Sequence, residues 1–190
     1  MTGKNQLPTI NGQKQVAKSR LFAIEQLELT FSNGEQRQYE RMLGSSNGAV
    51  MIVPMLDDET ILLVREYCAG THSYELGFPK GLIDSGELPE QAANRELQEE
   101  ISYGSEHFQH LAQVMMAPAF FNAKMEIFFA KNLYSAQLVG DEPEPLEVVT
   151  WPISAYKELL LQPDFKEARS IAALMLLVDH LSPSTLASQE

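Results

Sequence analysis

The sequence predicts a mixed α/β sandwich, and three observations carry that prediction. Apolar strand patterns crowd the middle of the chain. Helical patterns are interleaved among them and also close the chain. The two do not alternate one for one, as a doubly wound parallel sheet would require. At 190 residues, 44% hydrophobic and 21% charged, the chain is long enough for one ordinary core.

Residues 1–18 are polar, with scattered Gly and Pro, and are expected to be loose. Residues 27–31 (LELTF) alternate apolar and polar as a half-buried strand does, and Asn33-Gly34 then gives a strong hairpin signal. The return strand is expected over 36–42. Two apolar strands follow at 49–56 and 60–66, joined at Asp57-Asp58. Further strands are expected at 73–78, 113–117, 125–130 and 147–151. The first helix is expected over 89–102, with Pro89 in its first turn, where a missing N–H is harmless. Ala93, Leu97 and Ile101 give it an apolar stripe. Two more helices are expected at 153–161 and 165–181. The organisation is then an N-terminal extension with a hairpin (1–45), a main domain (46–181) and a frayed tail (182–190).

Composition excludes several classes. Lys plus Arg number 14 against 26 Asp plus Glu, a net charge of −12, which disfavours nucleic-acid partners. The longest apolar run, 171–178, has eight residues and is too short for a bilayer. The N-terminus has no apolar core of the secretory kind, and the single Cys68 rules out an internal disulfide framework and a Cys-based zinc site. A cytoplasmic protein without a membrane partner is expected.

Chemistry concentrates in residues 77–104, GFPKGLIDSGELPEQAANRELQEEISYG. A loop containing Gly81 and Gly86 feeds the first helix. On that helix Glu96, Glu99 and Glu100 stand at i, i+3 and i+4, roughly 5–6 Å apart on one face. Such charges repel, with only Arg95 nearby to compensate. A hard divalent cation would remove the penalty and leave coordination positions for phosphate oxygens. The bland alternative is a solvated acidic helix face.

Gly81, Glu87, Arg95, Glu96, Leu97, Glu99 and Glu100 reproduce, in register, the box of the Nudix hydrolases, and on these residues the chain resembles that family. Ser102 and Tyr103 stand where the box has Gly and an aliphatic residue. The resemblance implies a Nudix α/β/α sandwich that hydrolyses a nucleoside diphosphate linked to another moiety. It implies that Glu96, Glu99 and Glu100, helped by the Gly81 carbonyl, bind Mg²⁺ or Mn²⁺. It implies structural roles for Glu87 and Arg95. Such ions neutralise a diphosphate and acidify an attacking water.

The layout beyond the box is similar to the ADP-ribose pyrophosphatase subgroup and, within it, to members acting on several ADP-X compounds. The carrying segments are VREY at 64–67, SYELGFPKG at 73–81, the acidic loop at 141–147 and Trp151-Pro152. Cys68 replaces the Arg usual after the VRQY-type motif, and Pro118-Ala119 with Lys124 replaces the Pro-Gly-acidic pattern. A broad range is therefore implied: ADP-ribose, NADH and diadenosine polyphosphates, giving AMP and X-phosphate. A homodimer through the N-terminal extension is implied by resemblance only. The general base falls on Glu142 by its place before the strand at 146–151, with Glu144 or a box glutamate such as Glu99 as alternatives. Glu75 is a candidate adenosine contact, Arg37, Arg41, Arg65 and Lys80 candidate phosphate contacts, and Tyr67, Phe120 and Phe121 candidate adenine-stacking groups. The competing readings are a non-catalytic Nudix-fold nucleotide sensor and a nucleotide-sugar or NTP diphosphatase.

Overall fold

The structure, a computed structural model, describes residues 6–182 and divides into two compact units. The first comprises the chain up to Ser46 together with Met115–Lys124. It holds β1 (Thr9–Lys18), β2 (Ala23–Thr30) and β3 (Gln36–Leu43), an antiparallel sheet in that order. The expected hairpin is β2–β3. Its turn is closed by Phe31 N–H to Glu35 O at 2.9 Å and Gly34 N–H to Phe31 O at 2.9 Å, with Gly34 at φ +84°. The expectation of a loose start is corrected for residues 9–18, which form a third strand; residues 1–5 lie outside the described residues. β1 is solvated almost throughout, so no apolar alternation marks it. One side of its backbone is paired by the ladder to β2, a long-range partner that local pattern does not reveal.

The second unit contains β4 (Ala49–Pro54), β5 (Thr60–Cys68), β6 (Ser73–Gly77), β7 (Lys80–Leu82), α1 (Pro89–Glu100), β8 (Tyr103–Met115), β9 (Lys124–Ser135), β10 (Glu147–Pro152), α2 (Tyr156–Leu159) and α3 (Ala168–Leu181). Its strands form a sheet ordered β10-β5-β6 and a mixed sheet ordered β7-β4-β9-β8, in which β4 and β9 run parallel. β4 is apolar at consecutive positions because both of its faces are covered. Met51 and Val53 join Leu174 and Leu177 of α3 in one core, whereas Val50 and Ile52 join Ala93 and Leu97 of α1 in the other. The mixed α/β class expected from the sequence is the class observed.

Several boundaries differ from expectation. β8 begins ten residues before the strand expected at 113–117. It is an edge strand, largely solvated, so its polar residues hide its period. The helix expected at 153–161 is a 3₁₀ turn (Ile153–Ala155) followed by the short α2. The third helix starts at Ala168 rather than 165. Glu167 caps it by accepting the Ser170 N–H at 2.8 Å, and Phe165 is buried in the core instead. The expected tail lies outside the described residues apart from Ser182. No helix among the described residues is long and apolar enough to cross a membrane.

The box residue replaced by Ser102 keeps its conformation. Ser102 takes φ +59°, the left-handed exit that a glycine supplies without strain. Ser102→Gly is therefore expected to stabilise the fold by about 1 kcal/mol, read as an increased urea midpoint at constant m-value.

Candidate active site

The box folds as one loop–helix unit. Pro89 opens α1, and the Gln91 side chain accepts the Leu88 N–H at 2.9 Å, satisfying one amide near the helix start. Arg95 ties the unit together. Its Nε and Nη2 donate to the two oxygens of Glu87, each at 3.0 Å, and Nη2 also reaches the Leu82 carbonyl at 2.8 Å. Glu87 in turn accepts the Asp84 N–H at 3.0 Å, so loop, strand end and helix are joined through one guanidinium. The Arg95 cation holds Glu87 below the ordinary carboxylate range.

The three box glutamates differ in partners. Arg95 Nη1 donates to Glu96 at 2.6 Å and to Glu99 at 3.0 Å. Glu96 is 8% exposed, and burial pushes its carboxyl up while Arg95 pulls it back. Among the described residues Glu100 accepts one hydrogen bond, from the Lys80 backbone N–H at 3.3 Å. Burial pushes its carboxyl up to about 9, with Glu96 and Glu66 adding repulsion. A Cβ on Gly81 would run into the Glu96 carboxyl, so only glycine leaves that group its place. Among the described residues no three acidic, His or Cys side chains already converge as a metal cluster. The donor set still fits a hard divalent cation, because it offers carboxylate oxygens with less cationic charge around them than they need.

The raised Glu100 carboxyl has a stability consequence. The folded chain retains a proton that the unfolded chain releases near 4.5. The penalty for ionising it is absent below that pH, grows as pH rises, and is complete above about 9. In metal-free buffer Glu100→Gln is expected to melt higher than wild type at pH 8 and equally at pH 4, measured by calorimetry.

The acidic loop is carried by the same helix. Ala136 N–H donates to Ser102 O at 3.2 Å and Leu138 N–H to Gln98 O at 3.1 Å, so the stem of the loop satisfies carbonyls at the α1 C-terminus. Asp141 and Glu142 then line a cleft of about 490 Å³ with Lys80, Gly81, Arg95 and the box glutamates. A second cleft, of about 310 Å³, lies against Arg65, Glu66, Tyr67 and Tyr74 and is lined by residues 142–147. Glu142 thus borders both. Burial raises its carboxyl, and Glu66 and Asp141 reinforce the shift. Glu144 also lines a cleft of about 400 Å³ with Glu96, Glu99 and Glu100, and it accepts the Tyr74 hydroxyl at 2.5 Å.

The remaining predicted residues divide. Lys80, which lines the box cleft, pairs with Glu66, which lines the second. Arg65 pairs with Asp164 and, at 2.9 Å, with Glu147. Glu75, 6% exposed, is held by Ser73 at 2.6 Å and Lys166 at 3.0 Å, which lower its pKa, yet its Oε2 is buried without a partner among the described residues. Arg37 and Arg41 sit on β3 in the other unit, paired with Glu35 at 2.7 Å and Glu25 at 2.8 Å. Phe120 and Phe121 belong to that unit as well. Tyr67 lines the second cleft. Sequence reasoning missed Glu66, Asp141 and Tyr74. Asp141 had a signal, its place in the acidic loop; Glu66 and Tyr74 acquire meaning only through strand pairing.

The model of the NudE-type Nudix hydrolase N-terminal domain matches residues 8–41, and that of the NUDIX domain matches residues 46–175. The chain is 51% identical to the ADP compounds hydrolase NudE of Escherichia coli (strain K12) over 181 residues, covering 95% of this chain and 97% of that protein. It is 28% identical to the ADP-sugar pyrophosphatase of Mus musculus, covering 75% of this chain and 72% of that one. A crystal structure of an ADP compounds hydrolase, 50% identical, aligns with a TM-score of 0.88 over 94% of this chain and 96% of its own.

Proposed function

The chain belongs to the Nudix hydrolase family, and on that premise we propose that this pyrophosphohydrolase cleaves the diphosphate linkage of ADP-X compounds, releasing AMP and X-phosphate. ADP-ribose, NADH and diadenosine polyphosphates are the intended substrates. The observation that carries the reading is the facing of Glu96, Glu99 and Glu100 by Asp141 and Glu142 across one cleft. The name of the Escherichia coli relative supports the ADP-X class.

Nudix hydrolases generally use divalent metals such as Mg²⁺. Here Glu96, Glu99 and Glu100, with the Gly81 carbonyl, would hold Mg²⁺ or Mn²⁺. When bound, such an ion supplies charge neutralisation for the diphosphate and an acidified water. Glu142 accepts the proton of the attacking water at its carboxylate. Burial raises its carboxyl above the ordinary carboxylate range, which makes it a stronger proton acceptor. Lys80 adds positive charge at the same cleft. Glu75 is assigned the contact to the nucleoside, its Oε2 having no partner among the described residues. Residues 46–181 act as the hydrolase domain, and the N-terminal extension makes a homodimer. Exposed Ile10, Val16, Phe22 and Tyr39 on that extension support the dimer, checked by light scattering for twice the 21.3 kDa chain mass.

The test is product analysis with ADP-ribose and Mg²⁺. AMP with ribose 5-phosphate is the expected outcome, and a protein that binds ADP-ribose without releasing AMP would sink the reading in favour of a sensor. Millimolar Mg²⁺ is expected to stabilise the fold by linkage, by about 2.7 kcal/mol at a hundredfold excess over Kd, and so to raise Tm. An unchanged melting curve would return the helix to a solvated acidic face.

A further inference from the structure

The acidic loop needs an anchor beyond its stem. Pro143 and Pro145 have no N–H, so residues 139–146 cannot make a regular ladder. Among the described residues, the Tyr74–Glu144 bond is the one side-chain hydrogen bond made by this segment. Tyr74 is itself well placed to hold. It stands directly opposite Tyr67 in the β5–β6 ladder, the two rings meeting edge-on at 5.9 Å. Tyr67 is fixed in turn by its hydroxyl, 2.8 Å from His72 Nδ1. Tyr74 is 52% exposed, so its burial alone does not account for it.

We propose that Tyr74 is a positioning residue for the hydrolysis: its hydroxyl latches Glu144 and so keeps Glu142, two residues earlier, in the box cleft. The two prolines around Glu144 stiffen the link, so fixing Glu144 restricts Glu142. The inference rests on Glu142 being the base in the reading above. Tyr74 touches no reacting atom; it acts through the loop.

Tyr74→Phe keeps the ring and its Tyr67 contact and removes only the hydroxyl. The full-length protein is measured in two ways, by amide exchange across 139–146 and by steady-state kinetics on ADP-ribose with Mg²⁺. Faster exchange is expected, with kcat lowered about tenfold, KM changed less than twofold, and the Mg²⁺-induced rise in Tm unaltered. Glu144→Ala is expected to match it, and the double variant to be no worse than either. Unchanged exchange or unchanged kcat in Tyr74→Phe overturns the latch while AMP release by wild type stands. A far larger loss in Glu144→Ala also overturns it, because Glu144 would then be the base. Wild-type protein that releases no AMP overturns the parent reading and the latch together.

Discussion

Glu100→Gln is expected to lower kcat for AMP release from ADP-ribose by about 10³-fold, with KM changed far less. The substitution keeps the shape of the side chain and deletes one negative charge from the donor set. Glu100 is the box glutamate without an arginine partner, so its oxygens are the ones least committed and most available to a cation. Its elevated carboxyl means that cation binding must displace a proton, so the Mg²⁺ requirement of wild type should ease as pH rises. The variant is expected to be the more stable protein at pH 8 in chelator and the poorer enzyme under every condition, a trade between stability and activity at one atom. Retention of wild-type kcat would remove Glu100 from the metal set.

Arg95→Ala is expected to destabilise the fold by about 3 kcal/mol in metal-free buffer, read from urea denaturation. One guanidinium serves Glu87, Glu96, Glu99 and the Leu82 carbonyl. Its removal leaves Glu96 buried with no counter-charge and frees the Asp84–Glu87 turn from the helix. Arg95→Lys is expected to recover little, because an ammonium lacks the planar fork that meets both Glu87 oxygens. Millimolar Mg²⁺ is expected to restore more to Arg95→Ala than it adds to wild type, since the ion takes over the neutralising task at Glu96 and Glu99. A loss under 1 kcal/mol would show that the loop and helix hold together without it.

The box was legible because its information is local: glycine, arginine and carboxylates at fixed intervals along one loop and helix. The strands with one dry face, such as β2, and those buried on both, such as β4, were legible for the same reason. β1 and β8 were not, since solvated strands have no apolar rhythm and owe their form to neighbours far along the chain. Glu66 was invisible as a site residue because its partner Lys80 comes from β7, and Tyr74 because Glu144 lies across a gap that only folding closes. Ser102 was a visible departure whose outcome was not readable: the helix exit keeps its left-handed residue despite the missing glycine.

The parallel ladder between β4 and β9 encloses, in sequence, β5 through β8 and the whole of α1. A nascent chain must therefore wait for β9 to leave the ribosome before its central sheet can close. Until then the acidic helix has no settled platform, and the apolar side chains of β4 and β5 stand open to aggregation or to chaperones. The late strand, not the helix carrying the chemistry, thus sets the earliest moment at which the central sheet of a newly made molecule can close.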